Sequence, residues 1–350
     1  MSNPSQHSPT DRLRLVVGVH SAILVLVLIG MTLVWQKLRE CSRSQERGNA
    51  AIEHERAVLE LYKQRFQFDP LRRVVRPANI TSWPWHNLDQ IREPLRIVQP
   101  RMLDLNSFKK LTDLNGIELL VHLESLQLVA CKGVKSLDAL KNLTNLHSLN
   151  LDGCTGLVGR DAFIGIAGLE ELRELRMSGC IGLENTAMLA GLKNLRMLYL
   201  QNCTGLKDGG LQGLAGLDGL ESLELDGCTG LQDLNALGGI KGVRWMSLSG
   251  CSALNVQEAL LAISGLKELQ GLNLDDYPSL DDTATLAKFE NLRELSLQGC
   301  SGLKGKASLQ GIVQLKKLLR LNLSACSGLE KGDVDELRQM LGRNCTIYGP

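Results

Sequence analysis

The chain repeats one motif, L-x-x-L-x-L-x-x-C, nine times between Leu123 and Cys326, and no other feature constrains its fold as strongly. Successive copies begin 23 and then 25 or 26 residues apart, in alternation. Methionine or valine replaces a leucine in some copies, Tyr277 replaces one cysteine, and a degenerate copy begins at Leu103. Because a repeat of this length cannot bury its own apolar side, the period predicts a solenoid of about ten stacked layers.

Each copy is expected to supply one short strand, Leu-x-Leu, whose two leucines point into the interior. Neighbouring strands then stack in parallel, about 4.8 Å apart. In the short repeats every third residue after the cysteine is apolar, as at Val134, Leu137 and Leu140, which favours tight turns of the 3₁₀ type. The long repeats insert two or three residues at this point, which leaves room for a true helical turn or two, as in residues 257–262.

This pattern resembles the leucine-rich-repeat family and, through its cysteines, the cysteine-containing subtype of that family. The resemblance covers residues 100–350, about seven-tenths of the chain. It implies an α/β fold, in which a curved solenoid carries a parallel sheet on its concave face and 3₁₀ or short helices on its convex face. It also implies that the protein binds other proteins through the concave face.

A second function is left open by the same resemblance, because the family includes substrate-receptor subunits of ubiquitin ligases. Residues 36–100 contain no F-box-like segment, so that role is not transferred to this chain. A receptor or adaptor subunit of a ubiquitin-ligase-like or signalling complex stays an alternative. It would require a second partner site, for which residues 70–100 are the candidate.

Eight cysteines share one position of the repeat, and the family resemblance implies that this residue points inward and packs against the loop backbone. They are Cys131, Cys154, Cys180, Cys203, Cys228, Cys251, Cys300 and Cys326. Each has equivalent neighbours on both sides, which argues against a ladder of disulfide pairs. The sequence also lacks the closely spaced C-x-x-C pair that is typical of zinc ligands. We therefore predict structural, buried free thiols and no metal site.

The N-terminal region contains a hydrophobic segment, residues 15–35, without Asp, Glu, Lys or Arg. As a helix these 21 residues span roughly 31 Å, about the thickness of the hydrocarbon core of a bilayer. We predict an N-terminal tail (1–14), then a single transmembrane helix (15–35). A cleaved signal peptide and a buried core helix are the alternatives, but the sequence after Trp35 makes a poor cleavage site.

The side of the membrane that carries the repeats stays open. Basic residues are more numerous just after the hydrophobic segment than before it, which mildly favours a cytosolic location for the repeats. Uncleaved signal anchors with short tails, however, commonly keep the tail in the cytosol. The prediction is therefore a single-pass membrane protein of undecided orientation.

Residues 36–69 are predicted to form a helical stalk, because apolar residues such as Val58, Tyr62 and Phe66 recur at helical spacing. Residues 70–101 contain five of the nine prolines. Proline disfavours regular helix and interior strand, so this segment is predicted to be an irregular N-terminal cap filled by Trp83 and Trp85. The repeat array follows over 102–330. Residues 331–350 are predicted to form a C-terminal cap of one helix and a last strand.

The motifs that would indicate catalysis or cofactor binding are absent. Gly305-Lys306 is not followed by the Ser or Thr of a phosphate loop, and the sequence contains no G-x-S-x-G, H-E-x-x-H or calcium-loop motif. A net charge of +1 offers no general attraction to nucleic acid. We predict no enzyme activity, no cofactor, no nucleic-acid partner and no small-molecule substrate. An enzyme with an unrecognised site is the remaining alternative.

The candidate binding residues follow from the alternation of side chains along each strand. If the leucines face inward, the residues beside them face outward on the concave sheet, with Tyr199 and Trp245 two repeats apart, roughly 10 Å. Exposed aromatic residues among charged ones are typical of interaction hot spots. We predict that Arg176, Met197, Tyr199, Glu224 and Trp245 form the centre of a protein-binding surface. The alternative is that they are variable surface residues of a mainly structural array.

Overall fold

The computed structural model describes residues 45–78 and 86–349. The chain divides into two units, Met1–Glu60 and Leu61–Pro350. The predicted transmembrane segment, 15–35, lies outside the described residues, as do Trp83 and Trp85. Within the described ranges, no helix combines the length and the apolar character that crossing a bilayer requires.

The stalk prediction is only partly matched by the structure. Helix α1 spans Gln45–Lys63, and a hairpin of two antiparallel strands follows, β1 (Phe66–Asp69) and β2 (Val74–Pro77). The predicted stalk therefore ends early, at a turn where Arg65 has a φ of 61°. The reason is that Phe66 and Phe68 alternate with polar residues, and strand geometry buries both rings on one side.

The proline-rich segment was wrongly predicted to exclude regular structure. Helix α2 spans Asp89–Val98 and contains Pro94. Its apolar stripe, which includes Ile91 and Leu95, is buried. The proline costs the helix one internal hydrogen bond, to the carbonyl of Gln90 in the first turn, and Pro94 is itself part of the buried stripe.

From β2 onward the sheet is parallel and follows the order of the chain. With the hairpin it has thirteen strands among the described residues, and each strand pairs with the next one in sequence. The repeat strands are β3 (Met102–Asp104), β4 (Ser125–Gln127), β5 (Ser148–Asn150), β6 (Glu174–Arg176), β7 (Met197–Tyr199), β8 (Ser222–Glu224), β9 (Trp245–Ser247), β10 (Gly271–Asn273), β11 (Glu294–Ser296), β12 (Arg320–Asn322) and β13 (Thr346–Tyr348). The middle residue of each is an apolar side chain that points into the core, and Leu198 and Leu223 are fully buried.

The other side of the array is built from short helices. The 3₁₀ helices are Ile117–Leu119, Asp138–Leu140, Arg160–Ile166, Ala187–Leu189, Gln212–Leu214, Asn235–Leu237, Ala284–Lys288 and Lys306–Leu309. Two long repeats form α-helix instead, α3 (Val256–Ala262) and α4 (Gln310–Val313). The expected helical turn at 257–262 is thus present, whereas the long repeat at Arg160–Ile166 stays 3₁₀. The described repeats form a leucine-rich-repeat solenoid.

Long and short repeats meet on this side through a close backbone approach. Gly213 lies against the carbonyl oxygen of Thr186, and Gly311 lies against that of Thr283. A Cβ atom built on either glycine would be 1.8 Å or 1.7 Å, respectively, from that oxygen. Both threonines are buried, and their hydroxyls donate to backbone carbonyls of the following repeat, at 3.0 Å and 2.8 Å. In these two pairs of layers, only glycine fits at this position.

The last residues cover the end of the array. Helix α5 (Lys331–Leu341) begins with a capping box between Glu330 and Asp333, and it buries Val334 and Leu337. The chain then turns at Gly342 and adds β13 beside β12 in parallel. This helix and strand occupy the residues predicted to form the C-terminal cap.

Candidate functional site

The register of the sheet aligns its outward side chains in two columns, and together these columns are called the sheet face here. Each strand contributes its first and third residues, because its second residue is in the core. The third-residue column contains Asp104, Gln127, Asn150, Arg176, Tyr199, Glu224, Ser247, Asn273, Ser296, Asn322 and Tyr348. This is the column derived from the sequence, with Tyr348 added at its end.

Arg176 and Tyr199 are in direct contact on this face. The guanidinium carbon of Arg176 lies 4.2 Å from the centre of the Tyr199 ring, which is the geometry of a cation–π contact. Arg176 also donates from Nε to Glu174 at 2.6 Å. The Tyr199 hydroxyl points to the sulfur of Met197, at 3.8 Å. The strands β6 and β7 thus hold a planar cation, an aromatic ring and a thioether together.

A chain of polar contacts continues this cluster onto β8. The hydroxyl of Ser178 donates to the side-chain oxygen of Gln201 at 2.6 Å, and the amide nitrogen of Gln201 donates to Glu224. Partial burial raises the pKa of Glu224, and the nearby charge of Asp226 adds to the increase. Four of the five predicted residues, Arg176, Met197, Tyr199 and Glu224, therefore lie on the adjacent strands β6, β7 and β8. They are called the central cluster below.

Trp245, the fifth predicted residue, faces away from the central cluster. It is the first residue of β9 and is 37% exposed. Its ring extends over Gly271 of β10, since a Cβ built on that glycine would lie 2.0 Å from Cε3 of the indole. The other strands carry side chains at this position, which would block the ring. Gly271 was missed in the sequence, although aligning the repeats places it beside Trp245.

An open groove of about 360 Å³ lies on the far side of the indole. Trp245 and Tyr348 line it together with residues of β10, β11 and β12, and it is called the C-terminal groove. Glu294 and Arg320 at its rim form an ion pair of 2.6 Å. Tyr348, 55% exposed, was also missed. Tyr348 could have been found by aligning Thr346-Ile347-Tyr348 with the strand of the preceding repeat.

Three aspartates near the sheet face form hydrogen bonds between successive repeats. The Oδ1 atoms of Asp152, Asp226 and Asp275 accept hydrogen bonds of 2.7–2.8 Å from backbone N–H groups of the next repeat. Asp275 accepts a further bond of 2.6 Å from the hydroxyl of Ser296. These carboxylates link successive strand ends, so they are not free for a partner.

The eight repeat cysteines are buried free thiols among the described residues. Each Sγ donates to a backbone carbonyl of the preceding repeat at 3.0–3.3 Å; the acceptors are Leu105, Leu128, Leu151, Met177, Leu200, Leu225, Leu274 and Leu297. Burial raises the pKa of the Cys203 thiol to about 12 and that of the Cys251 thiol to about 11. At neutral pH these sulfurs stay protonated, so they are poor nucleophiles and poor metal ligands. Nor does the described part of the chain group three or more potential metal-binding side chains.

Tyr277 makes the equivalent hydrogen bond in the repeat that lacks the cysteine. Its hydroxyl donates to the carbonyl of Leu248 at 2.8 Å, which is the acceptor that a cysteine at this position would use. The side chain is buried, and burial raises the pKa of Tyr277. The departure from the repeat pattern therefore keeps the hydrogen bond between layers.

Comparisons with known proteins give distant structural likenesses only. No family model matches the chain, and no curated protein matches it. An internalin of Listeria monocytogenes is 20% identical over 69% of this chain and 74% of its own, with a TM-score of 0.49. An internalin C2 of the same species is 23% identical over 67% and 84%, with a TM-score of 0.44. A leucine-rich-repeat protein of Leptospira interrogans is 18% identical over 77% and 82%, with a TM-score of 0.36.

Proposed function

We propose that this chain is a membrane-anchored interaction module that binds a protein partner through its sheet face. The observation that carries the proposal is the central cluster, where Arg176 stacks on Tyr199 beside Met197. Arginine, tyrosine and methionine are the residue types enriched in protein interfaces. Arg176 is already held by Glu174 and by the Tyr199 ring, which limits the side-chain freedom that it loses on binding.

The proposal includes the absence of catalysis, cofactor and nucleic-acid or small-molecule partners. The thiols are buried and protonated at neutral pH, which leaves them unsuited to nucleophilic attack. The sheet face mixes cations with carboxylates, and pairs such as Arg176–Glu174 and Arg320–Glu294 cancel locally. A phosphate backbone is instead usually met by an excess of unpaired Lys and Arg. A partner with both charged and apolar groups fits this surface better.

We also assign the chain to the cysteine-containing subtype of leucine-rich repeats. The support is the shared role of the repeat cysteines, each of which donates to the carbonyl of the last strand leucine or methionine of the preceding repeat. Tyr277 keeps this bond in the repeat that lacks the cysteine. The position therefore requires a buried hydrogen-bond donor, and cysteine supplies one in eight of the repeats.

The proposed anchor is the apolar segment 15–35. Its length suits one crossing of a bilayer, and basic residues flank both ends. We expect the full chain to remain in the membrane pellet after extraction with alkaline carbonate, and a variant without residues 15–35 to be released. Protease protection of sealed vesicles then assigns the side that carries the repeats. Release of the intact chain by carbonate contradicts the anchor.

The binding face is tested by site-specific photocrosslinking of the full chain in the cells that produce it. Ser222 lies between Met197 and Trp245 in the first-residue column, so a benzoylphenylalanine there faces a partner of the sheet. The matched control is Val158, an exposed residue outside the sheet face. We expect a discrete protein adduct from position 222 and none from position 158. The same adducts from both positions, or none from position 222, argue against the proposal.

A further inference from the structure

The C-terminal groove exists because one strand lacks a side chain in the first-residue column. Gly271 of β10 leaves room for the Trp245 indole to lie across that strand. The indole then forms one wall of the groove, Tyr348 of the last strand forms the opposite wall, and β10, β11 and β12 lie between them. Both walls are therefore aromatic.

The charged side chains of this groove, and the Asn322 amide beside them, already have partners within the protein. Glu294 and Arg320, the charged side chains among its lining residues, pair with each other at 2.6 Å. The Asn322 amide donates to the hydroxyl of Ser296 at 3.1 Å. A charged group that entered here would lose hydration and find no unpaired ion of opposite sign. An uncharged apolar group loses no hydrogen bonds, so the chemistry of the groove favours it.

The size of the groove limits what it holds. Its volume of about 360 Å³ is close to the lower end of ordinary ligand pockets, which begin at roughly 300 Å³. That space suits one large side chain with some water. Aromatic anchors in such pockets are typical of the few residues that dominate an interface.

We propose that the C-terminal groove is an anchor site for one uncharged aromatic or aliphatic side chain of the protein partner. This inference rests on the proposed function and deepens it: the central cluster offers charged and polar contacts, and the groove offers the apolar one. The two sites lie on the same sheet, so one partner spans both. The partner therefore presents a charged patch and, several strand spacings away, a protruding apolar residue.

The test uses the full chain in nanodiscs, labelled with ¹⁵N at its four tryptophans. The indole N–H signal of Trp245 is identified by Trp245→Phe. N-acetyl-tryptophanamide and N-acetyl-leucinamide serve as probes, and N-acetyl-glutamate and N-acetyl-lysinamide are the charged counterparts. We expect a saturable shift of the Trp245 signal with the apolar probes and binding at least tenfold weaker with the charged ones.

The matched variants are Ser296→Phe, which fills the groove, and Asn150→Phe, which adds the same bulk to the same column on β5. The shift should disappear in the first and persist in the second. If circular dichroism shows that Ser296→Phe is unfolded, Gly271→Val displaces the indole instead. Equal binding of charged probes, or a shift that survives a filled groove, overturns the proposal. A persistent photocrosslink at position 222 without probe binding overturns the groove alone, whereas probe binding without the photocrosslink overturns the proposed function alone.

Discussion

Replacing Gly311 with alanine is expected to destabilise the array by about 3 kcal/mol or more, the upper range for overpacking a core. Gly311 is in α4 and does not have a positive φ, so helix propensity alone favours the alanine by about 1 kcal/mol. The packing in the structure outweighs this propensity, so the net change in the free energy of unfolding is a loss. The new Cβ would lie 1.7 Å from the carbonyl oxygen of Thr283, and two packed backbones would have to separate by well over an ångström.

The control for this substitution is Gly239→Ala. Gly239 also lies in a turn region on the helical side of the array, but a Cβ there meets nothing within 4 Å. Thermal and urea unfolding of the full chain give the comparison, and hydrogen exchange around Thr283 shows whether the loss is local, as expected for a stack of repeats. An alanine at 311 that leaves stability unchanged or raises it contradicts the described packing between long and short repeats.

The fold was largely predictable because its determinants are periodic. Every repeat places an apolar residue, usually leucine, at the same positions, and such leucines, Leu149 and Leu198 among them, are fully buried. A period this regular specifies parallel strands in chain order, which the register shows from β2 to β13. The larger mispredictions, the end of the stalk helix and the helix in the proline-rich segment, lie before the array, where no repeat exists. Phe66 was assigned to a helix because four-residue spacing and two-residue alternation cannot be separated in so short a segment.

The helix that contains Pro94 shows a different limit of prediction from sequence. A rule against proline in helices assumes that the lost hydrogen bond is costly, and this cost depends on whether the freed carbonyl reaches water. That in turn depends on which face of the helix is buried, which the position of the proline alone does not reveal. Here one internal hydrogen bond is lost, to the carbonyl of Gln90 in the first turn, and Pro94 itself lies in the buried stripe.

Part of the candidate site could be predicted from the sequence, and part could not. The outward columns follow from strand alternation, so Arg176, Tyr199 and Glu224 were placed on the correct face from the sequence. The direction of the Trp245 ring depends on a rotamer, and that rotamer depends on Gly271, 26 residues later in the chain but adjacent in the sheet. The hydrogen bond that Asp226 accepts from the next repeat could not be predicted either, because it exists only when both layers are in place.

Loss of partner binding is the second large effect that the structure predicts. Tyr199→Ala removes the ring under Arg176, and Trp245→Ala removes a wall of the C-terminal groove. Truncating a hot-spot residue typically costs 2 kcal/mol or more, so the double variant should bind at least about 100-fold more weakly, equivalent to about 2.7 kcal/mol. Both residues are on the surface of a sheet whose core is untouched, so folding should be preserved.

The most direct test of recognition through the sheet face is the affinity of the partner captured at position 222. It is measured for the unchanged chain, for the Tyr199→Ala, Trp245→Ala double variant, and for a control in which the exposed residues Val158 and Ile181 outside the sheet face become alanine. The predicted result is that the Tyr199→Ala, Trp245→Ala double variant binds the partner at least about 100-fold more weakly than the unchanged chain. The affinity of the control variant should be unchanged. Equal affinity of the double variant and the unchanged chain, or an equal loss in the control, would contradict it.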